Sequence, residues 1–152
     1  MARDIVLLAP NKTTLEAYRR DAPQGLEIVW ADSTQSIENQ AVYLQNAEII
    51  IANPSLLSVE LARLLPNLKL VQVTSAGTDM MDLTGLSELG VSVANNGGGN
   101  AVAVAEHTIA LMISVYRKLR LQFRTVQAGE WRGDTKEHWY SQTHELADKT
   151  IG

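Results

Sequence analysis

An α/β fold with a parallel sheet is predicted from three observations. Short apolar, β-branched runs recur from Ile5 to Ala9, Leu26 to Trp30, Glu48 to Ala52, Leu70 to Thr74 and Val91 to Ala94. None of them alternates cleanly between polar and apolar residues, which is the pattern of strands covered by helices on both faces. The gaps hold segments with apolar residues three or four apart: Thr13 to Asp21, Ser36 to Gln45, Ser58 to Leu65 and Leu83 to Leu89. Together these give a flavodoxin-like, doubly wound parallel five-stranded sheet with right-handed crossovers, whose ligand-binding groups lie just beyond the strand C-termini.

The 152 residues carry 13 Lys and Arg against 17 Asp and Glu, a formal net charge of −4, with 45% hydrophobic residues and no cysteine. That balance suits one ordinary soluble domain and excludes a disordered chain, a disulfide framework and thiolate chemistry. An acidic chain has no general attraction to nucleic acid or anionic lipid. The run from Ile5 to Ala9 is too short for a signal-peptide core. The longest apolar stretch, Ala101 to Val115, is interrupted by Glu106 and His107 and falls short of the roughly 20 residues of a membrane span. A cytoplasmic protein with no nucleic-acid or membrane partner is expected.

Punctuation along the chain agrees with these elements. Pro66 follows the third helical segment and Gly90 the fourth, both as stop signals. The strand ends lead into Pro10-Asn11-Lys12, Ala31-Asp32-Ser33, Asn53-Pro54-Ser55, Ser75-Ala76-Gly77-Thr78-Asp79 and Asn95 to Asn100. All are small and polar, as both turn formers and ligand-binding groups are. From Asn100 to about Ala128 the pattern is one long helix, opened by Asn100 as N-cap and closed by Gly129. Its first half is apolar nearly all round and needs cover from a second domain, another subunit or both. Its second half carries Arg117, Lys118, Arg120 and Arg124, which complement the helix dipole and solvate a free face. Beyond it, a polar stretch with isolated Trp131, Trp139 and Tyr140 ends in Thr150-Ile151-Gly152, which reads as the opening of a strand in a further domain.

Two turns carry chemistry. Ser75-Ala76-Gly77-Thr78-Asp79 joins a buried strand to a helical segment, and successive N–H groups in such a turn form a nest for a carboxylate or phosphate oxygen. The same residues also suit a tight turn in which Ser75 or Asp79 caps the next helix. Asn95-Asn96-Gly97-Gly98-Gly99-Asn100 offers N–H groups at a helix N-terminus, but a dinucleotide fingerprint would need glycine at position 102, which is Val. Three consecutive glycines where the compact domain ends suit a hinge. His107 follows Glu106 directly, so the two point about 100° apart and form no ligand pair. His138 and His144 lack metal-ligand spacing, and Val73 breaks the G-x-S-x-G pattern around Ser75. No metal site is expected.

The segment Val71-Gln72-Val73-Thr74-Ser75-Ala76-Gly77-Thr78-Asp79, then Gly90-Val91, then Asn100 to Met112, resembles the N-terminal portion of the D-isomer-specific 2-hydroxyacid dehydrogenases. The likeness continues through Ala128-Gly129-Glu130-Trp131 to Leu146-Ala147-Asp148-Lys149-Thr150-Ile151-Gly152. It implies a flavodoxin-like substrate-binding domain at residues 1–99, then a linking helix and the start of a truncated nucleotide-binding domain at 100–152. The implied reaction is hydride transfer between NAD or NADP and C2 of a 2-hydroxy or 2-oxo acid. Ser75, Ala76 and Gly77 would hold the substrate carboxylate, Asn53 would stand at the substrate cleft, and Asn100 and Val104 would lie near the nicotinamide. The family's catalytic Arg, Glu and His are implied to lie beyond Gly152, so no catalytic residue is assigned and these residues alone are not expected to turn over. A homodimer through the 101–140 region is implied as well. The alternative is a stand-alone module that binds a small acid or dimerises without catalysis.

Overall fold

The computed structural model describes residues 4–131 and 139–151. Contacts divide the chain into two compact units, Met1–Gly99 and Asn100–Gly152.

In the first unit five strands form one sheet: β1 (Asp4–Ala9), β2 (Ile28–Asp32), β3 (Ala47–Ala52), β4 (Leu70–Val73) and β5 (Ser92–Ala94). Their order is β2-β1-β3-β4-β5 and every neighbouring pair is parallel, the arrangement of a flavodoxin-like fold. The crossovers are α1 (Leu15–Asp21), α2 (Ile37–Leu44), α3 (Val59–Arg63) and α4 (Leu83–Glu88). Side-chain caps start three of them. Ser36 accepts from the Asn39 N–H, Ser58 from Leu61 and Asp82 from Gly85, each satisfying a donor the helix leaves over. A 3₁₀ turn at Pro54–Leu56, which the apolar pattern does not reveal, precedes α3.

The two sheet faces are covered unequally. On one, Val6, Leu8, Ile50, Ala52, Val71 and Val73 pack under Leu44, Leu61 and Leu86 of α2, α3 and α4. On the other, Ile5, Leu7 and Ile28 pack against Leu15 and Tyr18 of α1, with Ile49 and Ile51 only partly buried. A helix of seven residues is about 10 Å long, whereas five strands at about 4.8 Å spacing span nearly twice that width. The uncovered part is an open groove of about 570 Å³ lined by Ile5, Ile28, Ile49, Ile51 and Leu70. Continuous apolar strands therefore do not mean full cover on both faces here.

Three strand ends close in the same way. A side-chain oxygen at the turn accepts an N–H two residues on: Asn11 from Thr13, Asp32 from Thr34 and Asn53 from Ser55. Asp32 also accepts from the Thr34 hydroxyl at 2.8 Å and the Gln35 amide at 3.2 Å. Donation from the Thr34 backbone N–H, its hydroxyl and then Gln35 holds this carboxyl below the usual carboxylate range.

The second unit corrects the expectation of one continuous helix. It holds α5 (Ala101–Tyr116) and α6 (Leu119–Gln127), separated at Lys118. Lys118 adopts a left-handed φ of 54°, its N–H donates to the Val115 carbonyl, and its own carbonyl accepts from Leu121 and Gln122. The residue thus ends one helix and starts the next. A left-handed L-residue costs about 1–2 kcal/mol, and with no glycine or proline at the break the sequence carries no sign of it. Asn100 stands at the N-cap position of α5 without a side-chain cap bond. Gly129, at φ 73°, follows α6 as expected of a C-terminal glycine. A 3₁₀ turn at Trp139–Gln142 follows, and the His144 N–H donates to the Tyr116 carbonyl at 2.9 Å. Thr150 and Ile151 are in no strand. No residue of α5 is buried.

Two predictions follow from this packing. A Cβ added at Gly85 in α4 would lie 2.7 Å from Asp82 Oδ2 and 2.8 Å from Val59 Cγ2. Gly85→Ala should therefore destabilise by about 1–3 kcal/mol in denaturant unfolding despite alanine's better helix propensity; an unchanged or stabilised protein would show that α3 and α4 do not approach so closely. The Asp32 carboxyl, followed by NMR, should titrate below its unfolded value, and Thr34→Val should move it upward. Because the folded value is the lower one, the contribution of Asp32 to stability is complete above the unfolded value and is lost as pH falls through the folded one.

Candidate functional site

Parallel pairing brings all five strand C-termini to one edge of the sheet, where the candidate residues of the first unit lie. They are not equivalent there. Asn53 spends its side-chain oxygen on the Ser55 N–H and hydroxyl, at 3.1 and 3.0 Å, and so acts first as the cap of the 3₁₀ turn, with its NH2 group left over.

The turn after β4 is built differently. The Ser75 hydroxyl donates to the Gly77 carbonyl at 2.9 Å, so Ser75 caps no helix; that role falls to Asp82, which accepts the Gly85 N–H at 2.8 Å. The segment after β5 ties the turn down. The Asn95 amide donates to the Ala76 carbonyl at 2.8 Å, and the Asn96 N–H donates to the Ser75 carbonyl at 3.0 Å. The carbonyls of Ser75, Ala76 and Gly77 are thus all engaged, while the N–H groups of Ala76, Gly77 and Thr78 find no acceptor among the described residues. A turn with occupied acceptors and spare donors, exposed at Ala76 and Gly77, has the polarity that suits an anion. Space at the turn is limited, because a Cβ on Gly77 would stand 3.2 Å from Asp79 Oδ2.

Beside this turn is a cavity of about 420 Å³ lined by Tyr18, Ile51, Gln72, Thr74, Asn95 and Asn96. Sequence reasoning assigned no role to Tyr18, Gln72 or Thr74. The available signal was a polar residue at 72 and another at 74, two apart and hence on one face of a strand otherwise read as apolar.

In the second unit, the Asn100 carbonyl accepts the Val104 N–H at 2.9 Å, and the N–H groups of Ala101, Val102 and Ala103 find no acceptor among the described residues. Glu106 and His107 are both exposed on α5. His144 packs edge-on against Tyr116, with ring centroids 6.1 Å apart, and His138 lies outside the described residues. Among the described residues no helix is long and apolar enough to cross a membrane.

Comparison with known proteins agrees with this architecture. Over its full length the chain is 27% identical to a glycerate dehydrogenase of Methylorubrum extorquens, covering 48% of that protein. It is 32% identical over 83 residues, 55% of the chain, to a D-3-phosphoglycerate dehydrogenase of Archaeoglobus fulgidus, covering 16% of it. The chain therefore spans less than half the length of these relatives. Among solved structures, the NAD-dependent formate dehydrogenase of Staphylococcus aureus in complex with NAD matches with a TM-score of 0.65 at 27% identity, over 94% of this chain and 46% of that one. The D-lactate dehydrogenase of Aquifex aeolicus, complexed with NAD and lactic acid, shares the fold with a TM-score of 0.70 at 23% identity, over 88% of this chain and 40% of that one. The model of the D-isomer specific 2-hydroxyacid dehydrogenase catalytic domain matches residues 5–151, and the chain belongs to that family.

Proposed function

We propose that this chain is the substrate-binding part of an NAD(P)-dependent D-2-hydroxyacid dehydrogenase, an oxidoreductase that moves a hydride between a nicotinamide and C2 of a 2-hydroxy or 2-oxo acid. The observation that carries the reading is the turn at Ser75–Gly77, whose carbonyls are occupied and whose N–H groups at Ala76 and Gly77 are spare. Two N–H donors on one carboxylate are charge-assisted hydrogen bonds. They fix the end of a small acid and so orient C2 and its oxygen. The spare NH2 group of Asn53 supplies a further donor at the same sheet edge.

Family membership supports a nicotinamide cofactor, and a relative solved with NAD bound supports NAD in particular. The chain fits only the nicotinamide end. Asn100, Val104 and the unpaired first-turn N–H groups of α5 suit a polar carboxamide, while Val102 breaks the glycine spacing a pyrophosphate turn requires. When bound, the nicotinamide supplies or accepts the hydride. The proton exchanged at the C2 oxygen needs an acid–base group that none of these residues is assigned to provide, and the 152 residues alone are expected to be inactive.

The test is titration of the 15N-labelled chain with oxamate, a 2-oxo acid analogue, and with neutral acetamide. Oxamate should shift the Ala76 and Gly77 amides saturably, acetamide should not, and Gly77→Ala should weaken the effect severalfold. Equal responses to the two compounds, or shifts confined to other residues, would sink the carboxylate assignment.

The same reading pairs two copies through residues of the 101–140 region. Support comes from α5, where Val102 is 74% exposed and Ile109 54% exposed on a helix with no buried residue. Sedimentation should show a dimer that Ile109→Glu converts to monomer with unchanged circular dichroism. A wild-type monomer at high concentration would exclude the pairing.

A further inference from the structure

We infer that the cavity beside the Ser75–Gly77 turn is the compartment for the substituent that the acid carries on C2, and that it selects an uncharged, hydroxyl-bearing group. The inference rests on the reading of that turn as the carboxylate site. Position comes first: Thr74 runs directly into Ser75, and the Asn95 and Asn96 that staple the turn also line the cavity. A carboxylate held by Ala76 and Gly77 would therefore carry its C2 substituent beside these groups.

The lining then sets the chemistry. Gln72 uses one amide N–H on the Val73 carbonyl, at 3.1 Å, and its side-chain oxygen has no partner among the described residues. Tyr18 and Thr74 line the cavity too, and neither hydroxyl has a hydrogen-bond partner among the described residues. Donors and acceptors are thus both on offer, which matches a hydroxyl, a group that does both. Among the described residues, no lysine, arginine, aspartate or glutamate lines the cavity. A phosphate or second carboxylate placed there would be desolvated without a cation to pair it. A methyl substituent would leave the lining groups unpaired, the situation in which a hydrogen-bonding site rejects the analogue that lacks the hydroxyl. The favoured acid is one with a hydroxymethyl group on C2.

The deciding experiment compares D-glycerate, D-lactate and 3-phospho-D-glycerate by NMR titration of the 15N-labelled chain. It follows the backbone amides of Ala76 and Gly77 and, separately, the side-chain amides of Gln72, Asn95 and Asn96. D-glycerate should shift both sets and bind about fivefold more tightly than D-lactate, the ratio that one net hydrogen bond gives. The phosphorylated acid should bind most weakly, and Gln72→Leu should erase the difference between glycerate and lactate. If all three acids shift Ala76 and Gly77 with equal affinity, or the phosphorylated acid binds best, the compartment assignment is wrong while the carboxylate site stands. If none of them shifts Ala76 and Gly77, both readings fall together.

Discussion

Parallel strands cannot be joined by tight turns, and that constraint arranges the rest of the first unit. Every strand must return across a face of the sheet before the next begins, so all five C-terminal ends open on one edge. What distinguishes those ends is which half of the peptide group each loop consumes. After β1, β2 and β3, a side-chain oxygen of Asn11, Asp32 or Asn53 takes up an N–H. After β4 the polarity reverses. Donors from Ser75, Asn95 and Asn96 take up carbonyls, and the N–H groups are what remains. The loop after β4 is therefore the one of several similar loops whose remaining backbone groups are donors, the polarity that suits a negatively charged ligand.

Unequal cover of the sheet explains why polar residues are tolerated beside this loop. Val71 and Val73 face the helix-covered side and are fully buried, where each buried side chain of this kind is worth about 1.5–3 kcal/mol. Gln72 and Thr74 face the other side, which a seven-residue α1 cannot span. An unpaired amide oxygen there stays hydrated rather than stranded, so it costs little. The same short helix that leaves a hydrophobic groove further down the sheet leaves a polar cavity at the edge where the strands end.

Much of this was legible in the sequence, and the reasons for the remainder are physical. Strand and helix periodicity identified the α/β class, and the order β2-β1-β3-β4-β5 is the flavodoxin-like one. The Ser75–Gly77 segment was visible as a small, polar turn after a buried strand. Which of its groups would be spare was not, because that depends on Asn95, 19 residues away in sequence. The role of Asn53 as a cap was hidden by the 3₁₀ turn that it starts. The break at Lys118 was hidden more deeply: lysine is a good helix former, and only tertiary context holds it at a positive φ.

The second unit raises a different energetic question. A 16-residue helix is marginal in water on its own. Four alanines favour α5, but Val102, Val104, Ile109, Ile113 and Val115 are β-branched and lose rotamer freedom in a helix. Its stability must come largely from packing, yet the chain buries none of its residues. Contacts with the following segment, such as the His144 N–H on the Tyr116 carbonyl, lie at its far end. Cations gather beyond that same end, at Arg117, Lys118, Arg120 and Arg124, of which Arg117 at the C-cap of α5 and Arg124 in the last turn of α6 complement the helix dipoles, whereas Glu106 is the one acidic side chain between Asn100 and Gly129. Charge is thus kept away from an apolar surface on which covering even two or three of the exposed side chains would contribute several kcal/mol. The helix has the composition of an element that becomes stable by being covered.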